Sequence, residues 1–429
     1  MTYEEATDYI LNIPKFSKKN KPAHTEQFLA YLGNPQEHIK VVHVAGTNGK
    51  GSVCAYLNAM LLSEKRTVGM FTSPHLIKIN ERIIINDCEI DDDAFVRLFE
   101  EILKVVGQMR EAGLPHPTFF EFLFGMAMTA FARAGVEYAV VETGLGGRLD
   151  ATNVVKCPVA TVITSIGMDH MEYLGSTLSE IAAEKAGIIK SGVPVFFAEG
   201  QTESNQIIEK KAYEMKCMCK KIGKDAYEIL GIKKKHIAFS CSNAYYGDTT
   251  WSLKNIGIYQ TENAMLAMET MRFLFGAKGH PDRWRGALSQ LCRAGRMEEV
   301  LPDFYIDGAH NTSAVEAFAK SVSEAEKERI ILFSAVQEKN YTEMIHILCK
   351  EVPADFYVVT AIENIRAVQP EILKEIFQKY TDKPVIMQKD IKQAVSYIRE
   401  HRQGRTVYCL GSLYLAGRIK ELMQEVKRC

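Results

Sequence analysis

Short apolar runs alternate with longer amphipathic stretches along most of the chain, and that alternation predicts repeated strand, loop and helix. Ile39–Val44 is a compact apolar run followed at once by glycines, and Ser52–Lys65 then reads as a helix. Thr67–Phe71, Val136–Glu142, Val159–Ser165 and Val193–Ala198 are further strand candidates. Helices are predicted at Asp92–Ala112, Thr118–Ala134 and Leu178–Lys190. His236–Ser240 and Thr249–Leu253 resemble short strands of a small β-rich insertion. A second series begins near residue 300. Its strand candidates are Asp303–Ile306, Arg329–Ser334, Phe356–Thr360, Val385–Gln388 and Thr406–Leu410. Helical segments separate them at Ser313–Lys327, Tyr341–Glu351, Pro370–Tyr380, Ile391–His401 and Leu413–Lys427. Such alternation is the mark of mostly parallel sheets covered by helices. A boundary is expected close to Gly295-Arg296, dividing the chain into 1–295 and 296–429.

Composition narrows the class. The chain has 429 residues, 47% of them hydrophobic, enough for two or three cores. With 52 Lys+Arg against 53 Asp+Glu it lacks the basic excess of a nucleic-acid-coating protein. No apolar stretch is long enough to span a bilayer, and Met1-Thr2-Tyr3-Glu4-Glu5 has no signal-peptide character. The 10 scattered cysteines form no CxxC pair, so reduced thiols in the cytoplasm are expected. Cys217-Met218-Cys219 could clip a soft metal, but no histidine accompanies it. The lysines between Lys210 and Lys235 read as a solvated face.

The densest chemistry lies in Val41-Val42-His43-Val44-Ala45-Gly46-Thr47-Asn48-Gly49-Lys50-Gly51-Ser52. A buried strand runs into glycines, a lysine and a hydroxyl, and a helix begins. Glycines let several backbone N–H groups close on one anion, and the helix N-terminus adds its positive end. The spacing departs from the strict P-loop: two residues separate Gly46 from Gly49, and Gly51 stands between Lys50 and Ser52. An ordinary glycine turn would share the glycines, but not the lysine and hydroxyl at a helix start. A dinucleotide fold is disfavoured, because Gly144-Leu145-Gly146-Gly147-Arg148-Leu149 ends in leucine where GxGxxG needs glycine.

Three more strand ends carry polar groups: Glu142, Thr164-Ser165-Ile166-Gly167-Met168-Asp169-His170, and Phe71-Thr72-Ser73-Pro74-His75. In a parallel sheet these ends converge on one edge, where a carboxylate can hold Mg²⁺. Lys185 falls on the apolar face of a helix opened by the capping box Thr177-Leu178-Ser179-Glu180, in line with Leu178, Ile181 and Ala182. Its head either snorkels to water or is a buried amine of altered reactivity. Thr118-Phe119-Phe120-Glu121 fits a second capping box, which could account for Glu121. The aromatics Phe119, Phe120, Phe122 and Phe124 read first as core.

Taken with Glu142-Thr143-Gly144-Leu145-Gly146-Gly147-Arg148-Leu149-Asp150-Ala151-Thr152-Asn153, Glu184-Lys185-Ala186-Gly187-Ile188, Gln260-Thr261-Glu262-Asn263-Ala264, Asp307-Gly308-Ala309-His310-Asn311 and Gly411-Ser412-Leu413-Tyr414, these motifs resemble the folylpolyglutamate synthases of the Mur ligase superfamily. The resemblance runs nearly end to end. It implies a P-loop parallel-sheet ATPase domain, 1–295, which also takes a folate or pteroate. A smaller Rossmann-like α/β glutamate ligase domain, 296–429, would follow. It implies ATP and Mg²⁺ as cofactors, and an acyl phosphate attacked by the amine of L-glutamate. By the same resemblance Asn48, Gly49, Lys50, Gly51 and Ser52 would hold phosphates. Ser73, Glu142 and His170 would ligand Mg²⁺. Lys185 would carry a carbamate on a second metal. Asn263, Arg296, Asp307 and His310 would serve ATP. Lys50, Lys185 and His170 form the expected catalytic set, in a monomer that uses neither nucleic acid nor membrane. Glu338-Lys339-Asn340 departs from the family's usual Asp-Lys-Asp. An amide ligase for a cell-wall nucleotide precursor is the alternative. A GTPase-type switch would need Asn-Lys-x-Asp, which is absent, and a dead binding module would have lost Lys50, Glu142 or Lys185.

Overall fold

The computed structural model describes residues 1–13, 22–247, 249–322 and 328–428. The first unit is built on β1 (Lys40–Ala45), β2 (Val68–Phe71), β3 (Ile83–Ile85), β4 (Cys88–Glu89), β5 (Tyr138–Glu142), β6 (Ala160–Ile163), β7 (Val195–Ala198) and β8 (Cys219–Ile222). They form one eight-stranded sheet in the order β4-β3-β2-β5-β1-β6-β7-β8. Six neighbouring strands from β2 to β8 run parallel, and β3 and β4 add an antiparallel edge. The central strands read as unbroken apolar runs because both faces are covered. Val41, Ala139 and Val141 face a core with Phe28, Phe99, Phe122 and Phe131, whereas Val42, Val44 and Val140 face one with Leu57, Met60, Met265 and Trp284. The two-residue period of a strand deals alternate side chains to the two layers.

A second sheet, β9 (Tyr227–Lys233), β10 (His236–Cys241) and β11 (Trp251–Leu253), is antiparallel and packs Ile237, Phe239, Trp251 and Leu253 onto the second of those cores. The third sheet contains β12 (Glu298–Leu301), β13 (Phe304–Ile306), β14 (Arg329–Phe333), β15 (Phe356–Thr360), β16 (Val385–Gln388) and β17 (Thr406–Leu410). Its order is β12-β13-β17-β14-β15-β16, parallel except for β12. Alternate residues again divide between two layers: Ile331, Phe333 and Val359 on one side, Ile330, Leu332 and Val358 on the other. The fold is therefore α/β, a large parallel-sheet unit followed by a smaller one, as the apolar pattern predicts.

Several elements lie outside the pattern. The helix after the capping box at Thr177 spans Leu178–Ala186, not Leu178–Lys190, because Gly187 takes the C-cap. The Lys-rich stretch is not merely a solvated face: it contains β8, and Lys220 pairs with the buried Glu269. The strand β9 and the helices Thr202–Glu214, Tyr259–Phe275 and Pro281–Gln290 were not predicted. Tyr259–Phe275 is buried on nearly every side, so it shows no polar stripe by which to recognise it. The helix expected at Ser313–Lys327 is seen as Thr312–Val322, and the last five expected positions lie outside the described residues. Every cysteine among the described residues is a free thiol. Cys217 donates to the carbonyl of Ala212, and no group of three or more His, Cys, Asp or Glu among the described residues converges as a metal clip would. No helix among those residues is long and apolar enough to cross a membrane.

The capping box at Thr118 is present, but it accounts for only half of Glu121. One carboxylate oxygen accepts from the Thr118 N–H at 2.7 Å. The other lies 3.2 Å from His24 Nδ1 and 2.6 Å from the Thr25 hydroxyl, in the core between two helices. Thr118→Ala should therefore cost about 1 kcal/mol, the value of one lost cap. Glu121→Ala should cost about 3 kcal/mol, because it also strips a buried histidine of its partner. Urea unfolding of the two variants checks the ranking. The hydrogen bond to Glu121 holds His24 above its ordinary pKa, although burial opposes it. The pair's contribution is thus complete below the unfolded-state value of about 6.5 and is lost as pH rises through the higher folded-state value. The stability gap between wild type and His24→Gln should narrow over that rise; a gap independent of pH would show that the imidazole is not charged there.

Candidate active site

The glycine loop follows β1, whose Val44 is in register with Glu142 on β5. The loop passes its neighbours too closely for side chains. A Cβ on Gly46 would stand 1.8 Å from Thr164 Oγ1, and one on Gly49 would stand 2.2 Å from Asn263 Oδ1. Both glycines also have positive φ, +148° and +92°. Gly49 is the N-cap of the helix Lys50–Ser63 and makes no side-chain cap, so the first-turn amides await an external acceptor. The Ser52 hydroxyl, buried at 3% exposure, has no hydrogen-bond partner among the described residues. A cradle of close-packed glycines, free amides and an orphaned hydroxyl fits a phosphate group and its cation.

Lys50 folds back over this loop. Its Nζ donates to the carbonyls of Gly46 and Thr47, each at 3.1 Å, and stands 4.0 Å from Glu142 Oε1. Glu142 is buried, and its Oε2 accepts the Ser73 N–H at 3.1 Å. Burial pushes the Glu142 carboxyl up, with Lys50 the main opposing charge. Lys185 does not snorkel. Only 3% exposed, it donates from Nζ to Gly46 O at 2.9 Å. Burial, helped by the nearby positive charge of Lys50, pushes its pKa down to about 7. A substantial fraction of this amine is neutral near pH 7 and available as a nucleophile.

His170 follows β6 in a left-handed backbone conformation, φ 50°, as N-cap of the short helix Met171–Leu174. Partial burial, with Lys339, Lys50 and Lys185 nearby, lowers its pKa against the pull of Asp169, although 43% of the side chain remains exposed. Asp169 joins the two units. It accepts from Lys339 Nζ at 2.5 Å and from Asn311 Nδ2 at 2.9 Å, and His310 Nε2 lies 3.8 Å away. Burial alone would raise Asp169, but Lys339, His310 and His170 outweigh it and hold the carboxyl well below its usual range.

The loop after β13 supplies Asp307 and His310, the turn before β12 supplies Arg296, and the helix Tyr259–Phe275 supplies Asn263. Asp307 accepts from Tyr259 OH at 2.6 Å, from Met297 N at 2.9 Å and from Ala309 N at 2.7 Å. Arg296 donates to Gly295 O at 2.9 Å and lies against Gly308. His310 Nδ1 meets Gly308 O at 2.7 Å, and burial lowers the ring to about 4. The Asn48 side chain crosses to this loop, donating to Asn311 Oδ1 and Ser313 Oγ, while Asn311 donates back to Asn48 Oδ1. The predicted residues thus gather where the C-terminal strand ends of the two parallel sheets face each other. Lys339, Asn311 and Tyr259 belong to the same cluster but were not picked out as site residues. Lys339 is the lysine of Glu338-Lys339-Asn340, noted above only as a departure from Asp-Lys-Asp, and nothing local points to its partner Asp169, 170 positions away. Arg82 was also missed: its Nε lies 2.9 Å from His75 Nδ1 and its guanidinium 5.3 Å from the Phe119 ring.

This architecture, two parallel sheets with a phosphate cradle between their strand ends, is that of a Mur ligase. The Mur ligase middle domain matches residues 44–271, and the Mur ligase glutamate ligase domain matches residues 295–413. The Bacillus subtilis dihydrofolate synthase/folylpolyglutamate synthase is 38% identical over 355 residues, 80% of this chain and 82% of that protein. The Schizosaccharomyces pombe probable dihydrofolate synthetase is 31% identical over 416 residues, 91% of this chain and 95% of that one. The solved structure of Mycobacterium tuberculosis folylpolyglutamate synthase complexed with ADP and AMPPCP matches with a TM-score of 0.88 at 27% identity, over 98% of both chains. The chain belongs to the folylpolyglutamate synthase and dihydrofolate synthase family.

The Lys339–Asp169 pair is a short ion pair linking the strand-end loops of the two units. Lys339→Met should raise hydrogen exchange at 46–49 and 307–313 and leave the core of each sheet protected. Unchanged exchange in those loops would show that the amide contacts of Asn48 and Asn311 hold the units together without the ion pair.

Proposed function

We propose that this chain uses ATP and Mg²⁺ to join L-glutamate, through an amide bond, to a carboxylate of a folate, and of dihydropteroate as well. The observation that carries this reading is the cradle after β1: free helix amides, an orphaned Ser52 hydroxyl and Lys50 beside the buried Glu142. The family supplies the substrate class. A relative named for both synthase activities at 38% identity favours a folate over a cell-wall nucleotide precursor.

In this reading Asn48, Gly49, Lys50, Gly51 and Ser52 hold the phosphates. Ser73, Glu142 and His170 hold Mg²⁺, which supplies charge neutralisation during phosphoryl transfer. His170 is suited to it because its imidazole is held neutral. Lys50 leaves its two loop carbonyls for the phosphate oxygens. The folate carboxylate takes the terminal phosphoryl group and becomes an acyl phosphate. The glutamate amine then attacks the acyl carbon, phosphate leaves, and the amine proton passes to solvent or a base. Asn263, beside Gly49, and Arg296, Asp307 and His310 complete the nucleotide site from the other side. Asp307 has one lone-pair position beyond its three protein donors with which to accept a ribose hydroxyl.

We assign 1–295 to ATP and the folate or pteroate, and 296–429 to glutamate. All of these groups come from one chain, which suits a monomer acting on small molecules. The free thiols suit the cytoplasm. Lys185 is the group suited to carbamylation. Its neutral amine forms an N–C bond to CO₂ and loses a proton, which turns a cation into a carboxylate at the site.

Two experiments test this reading. ADP release and product mass, followed with Mg²⁺, ATP and glutamate, should show a one-glutamate gain with tetrahydrofolate and with dihydropteroate. A gain with neither, from folded nucleotide-binding protein, would remove the substrate assignment. Lys185→Ala should lose activity that acetate partly restores, and wild type in ¹³C-bicarbonate should show a carbamate carbon that the variant lacks. Full activity of the variant would refute the carbamate.

A further inference from the structure

Arg293 lies in the turn between the helix Pro281–Gln290 and β12, three residues before Arg296, and none of the motifs above includes it. Its guanidinium rests on the first turn of the phosphate-loop helix. A Cβ on Gly51 would stand 2.5 Å from Arg293 Nη2 and 3.4 Å from Glu142 Oε2. The absence of a side chain at Gly51 is what admits the guanidinium there.

Arg296 is anchored on the carbonyl of Gly295. The Arg293 side chain, among the described residues, makes no hydrogen bond and no ion pair, and Glu142 is not close enough to form one. Its five N–H donors, in a fixed fork, meet no protein acceptor among the described residues and remain open to an incoming anion. Burial and the neighbouring charge of Arg296 both work against this guanidinium. A bound anion would relieve both effects. The Ser52 hydroxyl, one residue further along the helix, is also buried and unpartnered. Among the described residues two independent groups, a cation with no protein partner and a buried hydroxyl with none, thus stand at the same helix start.

We propose that Arg293 is a further phosphate-contacting residue, which takes oxygens of the β- and γ-phosphoryl groups of the bound nucleotide and neutralises charge there beside Lys50. The inference rests on the nucleotide reading of the site. Position favours phosphate over a carboxylate of folate or glutamate, because the guanidinium lies against Gly51, in the first turn of the helix that closes the phosphate loop. A planar fork can grip two oxygens at once, which an ammonium such as Lys50 cannot.

The test is calorimetric titration of the full chain with AMP, ADP and AMPPCP, each with Mg²⁺ and with EDTA, for wild type, Arg293→Gln and Arg293→Lys. Loss of a charge-assisted contact should weaken ADP and AMPPCP about tenfold in the glutamine variant and leave AMP unchanged. The effect should persist in EDTA. Lysine should recover part of the loss. If the glutamine variant does not fold, the lysine variant decides the matter: it should still bind AMPPCP more weakly than wild type and AMP equally. Unchanged ADP and AMPPCP affinities would overturn the proposal. So would an equal loss for AMP, or a loss confined to Mg²⁺, which would make Arg293 a counter-ion of Glu142. Failure of wild type to bind any of the three nucleotides would instead bring down the nucleotide reading itself, and this proposal with it.

Discussion

One carbonyl oxygen, that of Gly46, takes hydrogen bonds from both Lys50 and Lys185, and the site is arranged around it. Two ammonium groups brought to a single acceptor repel each other, and the more deeply buried one loses proton affinity. Burial, helped by the nearby charge of Lys50, is what pushes Lys185 toward neutrality. The same convergence requires the loop after β1 to run hard against Thr164 and Asn263, which only glycine at positions 46 and 49 permits. Fold and chemistry therefore share one constraint: a backbone path with no room for side chains, whose carbonyls hold the cations in waiting.

Asp169 plays the corresponding part between the two sheets. Its carboxylate lies one residue before His170 and meets Lys339, Asn311 and His310 from the second unit. A buried carboxylate costs desolvation that one partner rarely offsets, and here the Lys339 charge and the Asn311 hydrogen bond share it. Asn48 and Asn311 add a reciprocal pair of amide hydrogen bonds across the same gap. The phosphate loop thus has its geometry set partly by residues more than 250 positions away, so the relative placement of the units is itself part of the site.

Much of the fold was legible because strands buried on both faces read as unbroken apolar runs. The strands Phe356–Thr360 and Thr406–Leu410 have the bounds those runs predict, and the helices Tyr341–Glu351 and Pro370–Tyr380 have the bounds expected of the amphipathic stretches between such runs. Both capping boxes were legible for a related reason, since a threonine and a glutamate three residues apart satisfy helix N–H groups whatever lies beyond. The helix Tyr259–Phe275 was not legible: it is wedged between the phosphate-loop helix and the sheet, and burial on nearly every side removes the periodicity that marks a helix.

The sequence alone determined the kinds of chemistry available: a glycine loop with a lysine, an acid closing a strand, and a lysine on an apolar helix face. Local spacing carries that information, because backbone conformation depends on near neighbours. Only the tertiary structure decided that Lys185 turns inward to Gly46, that Glu121 serves a buried histidine as well as a cap, that Lys339 meets Asp169, and that Arg293 reaches Gly51 with its donors unused. Each of these depends on what packs against a side chain from a distant part of the chain. A charged head finds water or a partner according to that packing, and no local pattern records it.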